Sequence, residues 1–269
     1  MSQEERERKQ REKEVAEEKG GKQSTLFDFL GNNSEAPQDG NPLQTPSKDS
    51  CFKNGTSDFK EITTEAASLT HDPALNPALN KEEILQSWGN SCRECQKCSL
   101  YQQRTQAVFG EGNVHAVMML VGEAPGADED RQGFPFVGNA GKLLDNILKA
   151  ISVLRTEIYI TNIVKCRPPG NRLPYHGEVE SCAYYLSKQI EIIDPAIIVC
   201  LGSLSTKSLI DSEAKITLMR GQWCEIGDRW YMPTFHPAAL LRDPKKKKPV
   251  WEDFQQIKAY YDHINPKQT

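Results

Sequence analysis

The chain has no apolar run near the roughly 18–20 residues that a membrane-spanning helix needs. Its opening residues also lack the apolar core of a secretory signal. The expectation is a cytoplasmic protein without membrane contact. An excess of one charge is missing too. The 33 Lys and Arg stand against 37 Asp and Glu, a formal net charge of −4, so any nucleic-acid contact must rest on a local patch. Hydrophobic residues make up only 38%, low for a chain folded throughout. Cysteine is the exception: eight of them in a reducing compartment argue for metal or cluster ligation in preference to disulfides.

The apolar deficit is uneven. Residues 1–22 are mostly charged and of mixed sign, and Ser, Asn, Asp, Pro and Gly dominate from Gly31 to about Asn80. Neither stretch can bury enough apolar surface to offset its ordering entropy. Residues 1–80 therefore read as a disordered tail and 81–269 as one folded domain, long enough for a single core.

In that domain, short apolar runs alternate with amphipathic ones. Strands are expected at Ala116–Val121, Ile158–Ile160, Ile197–Leu201 and Trp230–Thr234, and helices at Gly141–Ile151, Glu178–Ile193, Ser203–Ile210 and Trp251–His263. The alternation predicts an α/β fold, a mostly parallel sheet covered by helices on both faces. Ligands of such sheets sit beyond the carboxyl ends of the strands. Gly122-Glu123-Ala124-Pro125-Gly126, Asn162, Gly202 and His236 fall there.

Cys95 and Cys98 have the two-residue spacing that lets two thiolates grip one metal or cluster, and Cys166 and Cys182 would complete a four-thiolate site. Zinc and an iron–sulfur cluster both accept four cysteines. Cys92 repeats the spacing with Cys95, and Cys200 reads as a buried hydrophobe. The glycine- and proline-rich connection after the first strand would suit a phosphate cradle or a structural turn. It lacks both the P-loop ending and the dinucleotide spacing. Taken singly, Phe136 also reads as core, Asn162 as a helix cap and His236 as a structural histidine.

The segments GEAPGADEDRQGFPFVGNAGKLLD (residues 122–145), ITNIVKCRPPGNR (160–172) and FHPAALLRDP (235–244) together closely resemble the family 4 uracil-DNA glycosylases, the iron–sulfur branch of their superfamily. The resemblance runs from about Cys95 to Tyr261. It implies a three-layer α/β/α sandwich with a central four-stranded parallel sheet, a 4Fe-4S cluster on Cys95, Cys98, Cys166 and Cys182, and excision of uracil from DNA by a monomer. It assigns base stacking to Phe136, reading of the uracil edge to Asn162, further pocket contacts to Gly122 and Ala124, and exclusion of the thymine methyl to Glu129. His236 is the expected donor to uracil O2. Where other branches carry a water-activating Asp or Asn this chain has Ala124, which implies a dissociative reaction, with Asn171 set to position water or phosphate and Glu123 to support the loop.

The loop after His236 is expected to enter DNA, with Leu240 and Leu241 as wedges and Arg242, Lys245 and Lys246 on phosphates. In the tail, Gln23, Leu26, Phe29 and Leu30 resemble a sliding-clamp interaction motif, Leu30 replacing the usual second aromatic. The alternatives are an inactive iron–sulfur DNA-binding accessory protein and a zinc-stabilised relative.

Overall fold

The computed structural model describes residues 80–266. The tail and its Gln23–Leu30 motif lie outside the described residues. The first helix among the described residues is α1 (Lys81–Glu94). Asn80 caps it reciprocally: its side-chain oxygen accepts from Glu83 N at 2.9 Å while the Glu83 carboxylate accepts from Asn80 N at 3.0 Å, which satisfies two orphan donors of the first turn.

The sheet contains β1 (Glu111–Gly112), β2 (Met118–Gly122), β3 (Tyr159–Asn162), β4 (Ile197–Leu201), β5 (Cys224–Ile226) and β6 (Arg229–Thr234), in the order β1-β3-β2-β4-β6-β5. The four expected strands are the inner four, all parallel. The expectation of a four-stranded sheet is corrected by the two edges. β1 and β5 pair antiparallel with β3 and β6 and make it six-stranded and mixed. At two and three residues neither edge is long enough to show an alternating pattern. Such short edges also limit edge-to-edge pairing between molecules.

Between the strands lie α2 (Ala127–Gln132), α3 (Asn139–Ala150), α4 (His176–Ile193), α5 (Ser203–Leu209) and α6 (Ile216–Met219), and after the last strand come α7 (Pro237–Arg242) and α8 (Lys247–Ile264). The inner strands are buried on both faces, and their alternation splits them between two cores. Met119, Val121, Ile198 and Cys200 face Leu85 and Trp88 of α1 and Tyr185 and Leu186 of α4. Met118, Leu120, Ile197 and Val199 face Leu144, Ile147 and Leu148 of α3 and Trp251, Phe254 and Ile257 of α8. This is the expected three-layer sandwich. Among the described residues, no helix is long and apolar enough to cross a membrane.

The register places the functional residues. The last β2·β3 pair is Gly122 with Asn162, and the last β4·β6 pair is Leu201 with Thr234. Gly202, Phe235 and His236 therefore follow at the same end of the sheet.

Candidate active site and cysteine cavity

Gly122 and Asn162 sit side by side at the carboxyl ends of β2 and β3, and the third wall is Phe136. A methyl group on Gly122 would lie 2.3 Å from Asn162 Oδ1 and 2.6 Å from Phe136 Cζ. Only glycine lets the Asn162 amide and the Phe136 ring approach the end of β2 this closely. Asn162 is 2% exposed, and its Oδ1 is buried without a hydrogen-bond partner. An orphaned buried acceptor costs about 1–3 kcal/mol, so the position is built for a donor that arrives with a ligand. The Phe136 ring stacks on His236, with centroids 5.5 Å apart and planes inclined by 28°.

Phe136 has φ +52°, a left-handed conformation that a bulky residue keeps only when its surroundings enforce it. Three groups do so. Gly141 of α3 lets the helix approach so closely that a methyl there would fall 1.8 Å from Phe136 O. The Glu129 carboxylate accepts from Val137 N and Gly138 N at 2.9 Å each and from Gly126 N at 3.1 Å. Arg155 donates to Pro135 O and is itself held by Glu111 at 2.7 Å and Asp145 at 2.8 Å. Glu129 was expected to face the base; its oxygens are instead engaged with backbone, so it acts first as a brace.

His236 caps α7. Its Nδ1 accepts from Ala238 N at 3.1 Å, which leaves the proton of the neutral ring on Nε2. Burial, helped by the positive charge of Arg242, pulls its pKa down to about 4. At neutral pH it is therefore an uncharged N–H donor. Glu123 borders it across Gly202: a methyl on Gly202 would lie 2.6 Å from Glu123 Oε1 and 3.0 Å from His236 Cβ. The Glu123 carboxylate accepts from Leu204 N at 3.1 Å and from Ser203 N, and burial pushes its carboxyl up from the ordinary value. Glu123 thus ties the end of β2 to the start of α5. Ala124 packs partly buried against the core on the α1 and α4 side.

Several expected contacts are not brought to this pocket. Asn171 is exposed on the Pro169–Asn171 turn, and its side-chain oxygen accepts from Arg167 Nε at 2.7 Å; no hydrogen bond joins it to the pocket. Leu240 is fully buried in the α3 and α8 core and cannot wedge into DNA. Leu241, 52% exposed, can. The lysine run is helical and not a loop: Pro244–Lys246 is a tight turn and α8 starts at Lys247. Arg242 and Lys245 are exposed, while Lys246 pairs with Asp243 at 2.8 Å.

On the α1 and α4 side, one cavity is lined by Cys92, Cys95, Cys98, Cys166 and Cys182 together with Arg104 and Lys165. Arg104 Nη1 donates to Cys166 Sγ at 3.1 Å, and Lys165 N donates to Cys182 Sγ at 3.3 Å. Burial pushes up the thiols of Cys92, Cys98 and Cys166, and that of Cys182 to about 12. Thiolates here need positive partners. Among the described residues no three His, Cys, Asp or Glu side chains converge tightly enough for a single metal ion.

Sequence reasoning missed Lys165. It is 0% exposed and donates to Thr161 Oγ1 at 2.6 Å, Asn162 O at 2.7 Å and Gln189 Oε1 at 2.6 Å. Burial lowers its pKa to about 8, against the raising effect of nearby cysteines. Arg155 was missed as well. The only available signal for Lys165 was its place beside Cys166; Arg155 gave none, because its partners come from three separate elements.

The α/β/α sandwich thus gathers an aromatic face, an orphaned amide oxygen and a neutral imidazole at its strand ends. The model of the uracil DNA glycosylase superfamily matches residues 109–255. The chain is 46% identical over 187 residues to the type-4 uracil-DNA glycosylase of Sulfurisphaera tokodaii, covering 66% of this chain and 81% of that one. To the type-4 enzyme of Thermotoga maritima it is 40% identical over 184 residues, covering 67% and 96%. A type-5 enzyme of Pyrobaculum aerophilum is more distant, 34% identical over 148 residues. The chain belongs to the uracil-DNA glycosylase superfamily and, within it, to the type-4 family.

Proposed function

We propose that the chain removes uracil from DNA by hydrolysing its N-glycosidic bond and leaves an abasic site. The observation that carries this reading is the orphaned Asn162 Oδ1, enclosed by Gly122 and Phe136 beside the His236 ring. A base inside the duplex must be extruded to reach such a pocket. Phe136 stacks on the extruded ring. Asn162 Oδ1 accepts from uracil N3–H and Nδ2 donates to O4, a pattern that cytosine inverts. Glu129, immobilised by three backbone N–H groups, presents a wall that a C5 methyl cannot displace.

Cleavage leaves negative charge on the departing base, and a preorganised donor at O2 stabilises it. His236 Nε2–H is that donor, and it needs no proton from solution. Ala124 offers water no base, in keeping with a reaction in which the sugar cation forms before water attacks. Glu123 fixes the loop, and the placement of Asn171 suits a phosphate better than the attacking water. Leu241 enters the vacated stack, while Arg242 and Lys245 meet phosphates. The tail residues Gln23, Leu26, Phe29 and Leu30 would tether the enzyme to a sliding clamp.

Cys95, Cys98, Cys166 and Cys182 suit a four-iron, four-sulfur cluster, with Arg104, which donates to Cys166 Sγ, compensating its charge. Four thiols around one cavity suit four-thiolate ligation, and the family resemblance favours the cluster over zinc. When bound, the cluster supplies a covalent cross-link among loops and no redox step. The test is uracil release from single- and double-stranded oligonucleotides by protein of measured iron and sulfide content. Intact oligonucleotide from iron-loaded protein would leave the accessory-protein reading; zinc without iron would overturn the cluster assignment.

A further inference from the structure

Only three residues separate Asn162 of the pocket from Cys166 of the cysteine cavity. Asn162 closes β3 and reads into the pocket, while Cys166 lines the cavity. Lys165 spans that interval twice. Its backbone N–H donates to Cys182 Sγ at 3.3 Å. Its side chain turns back along the chain and donates all three ammonium protons, to Thr161 Oγ1, Asn162 O and Gln189 Oε1, at 2.6–2.7 Å. A buried cation with every donor matched admits little movement of its acceptors, because each lost bond leaves a buried polar group unpaired. Gln189 extends the network to Phe109 O at 2.8 Å and Tyr159 Oη at 3.1 Å. The segment is fastened to the neighbouring strand end by Ile163 N on Gly122 O at 3.0 Å.

We propose that Lys165 is a positioning residue through which the cysteine cavity sets the pose of Asn162, so that filling the cavity tightens base recognition without touching the base. The inference rests on the uracil-reading role given to Asn162. The Lys165 side chain does not meet substrate; it acts by fixing the carbonyl and backbone of Asn162, which does.

Lys165→Met keeps the length of the side chain and the backbone N–H to Cys182 and removes only the ammonium. We expect iron content and affinity for abasic-site DNA like the parent's, KM within about threefold, and kcat lower by about tenfold to a hundredfold, the loss that misplacement by a fraction of an ångström produces. Hydrogen exchange should rise in the peptide spanning residues 159–166, in this variant and in parent protein stripped of iron by a chelator. If Lys165→Met fails to fold, Thr161→Val removes one acceptor without adding bulk and should lower kcat about threefold to tenfold at unchanged KM. Parent-like kcat and exchange in the folded variant overturn the positioning role. A parent that releases no uracil overturns the proposed function instead, and the exchange comparison still decides whether cavity and Asn162 are coupled.

Discussion

A single methyl group added at Gly122 tests the convergence of the pocket directly. In Gly122→Ala the new carbon would sit 2.3 Å from Asn162 Oδ1 and 2.6 and 2.8 Å from two carbons of the Phe136 ring. Unbonded carbons do not approach within 3.0 Å, so the amide must retreat by about 0.7 Å and the ring by about 0.4 Å. Gly122 does not use a left-handed conformation, so no backbone penalty confuses the result. Neither neighbour can yield freely: Asn162 is locked through its carbonyl by Lys165, and Phe136 by Glu129, Arg155 and Gly141. Overpacking of this kind costs about 1–3 kcal/mol, which for a domain of this size lowers Tm by roughly 2–10 °C. Displacement of the reading group should lower kcat/KM for uracil excision by about tenfold to a hundredfold. Affinity for DNA that already carries an abasic site should stay unchanged, since no base is read. Replacing Asn162 by alanine in the same chain should recover part of the lost stability and none of the activity, the signature of two residues that share one space. A Gly122→Ala enzyme within twofold of the parent in kcat/KM would refute the geometry.

Three further outcomes are expected. His236 titrates near 6.5 when unfolded and about 4 when folded. Protons therefore bind the unfolded chain first, and stability falls as pH drops through that window by up to about 3 kcal/mol. Urea unfolding at pH 7 and pH 5 should show the loss, His236→Asn should lack it, and the parent's kcat should stay flat from pH 8 to 5. Arg155→Met releases Pro135 O and leaves Glu111 and Asp145 without their shared cation. About 2 kcal/mol should go, after discounting a buried-pair loss for partial exposure, and kcat should drop at least tenfold as Phe136 relaxes; parent-like kcat would remove Arg155 from the machinery. Adjacent leucines should behave oppositely. Leu240→Ala should cost about 2–5 kcal/mol by thermal unfolding, whereas Leu241→Ala should leave stability within about 0.5 kcal/mol and slow excision from duplex more than from single-stranded DNA.

Much of the architecture was legible because its signals are local. The inner strands are continuous apolar runs, and α3, α4, α5 and α8 carry apolar residues at helical spacing. The edge strands were not legible, since Glu111–Gly112 has no period at all and Cys224–Ile226 is held by its hairpin with β6. In the pocket, Asn162 and His236 stood out by their places at strand ends, whereas Phe136 and the roles of all three came from the family resemblance. Leu240 was misread because one turn of helix decides whether a leucine faces core or solvent, and α7 was not foreseen. Lys165 and Arg155 escaped because a buried lysine or arginine looks like any surface cation until its partners are known.

The pocket gathers two features that each oppose folding at neutral pH: a left-handed phenylalanine and a buried amide oxygen without a donor. Together they cost several kcal/mol by ordinary measures, against a net domain stability of about 5–15 kcal/mol. Such a concentration persists only where the surrounding contacts over-determine it. Glu129, Arg155, Gly141, Lys165 and Glu123 are those contacts. Relief of the second cost requires a ligand with a donor N–H on its edge, and stacking on Phe136 requires a flat face. A uracil ring supplies both, and its O2 gives the neutral His236 Nε2–H an acceptor. The strain therefore acts as a selectivity device, because a base that satisfies the shape but not the donor leaves Asn162 Oδ1 as unpaired as before.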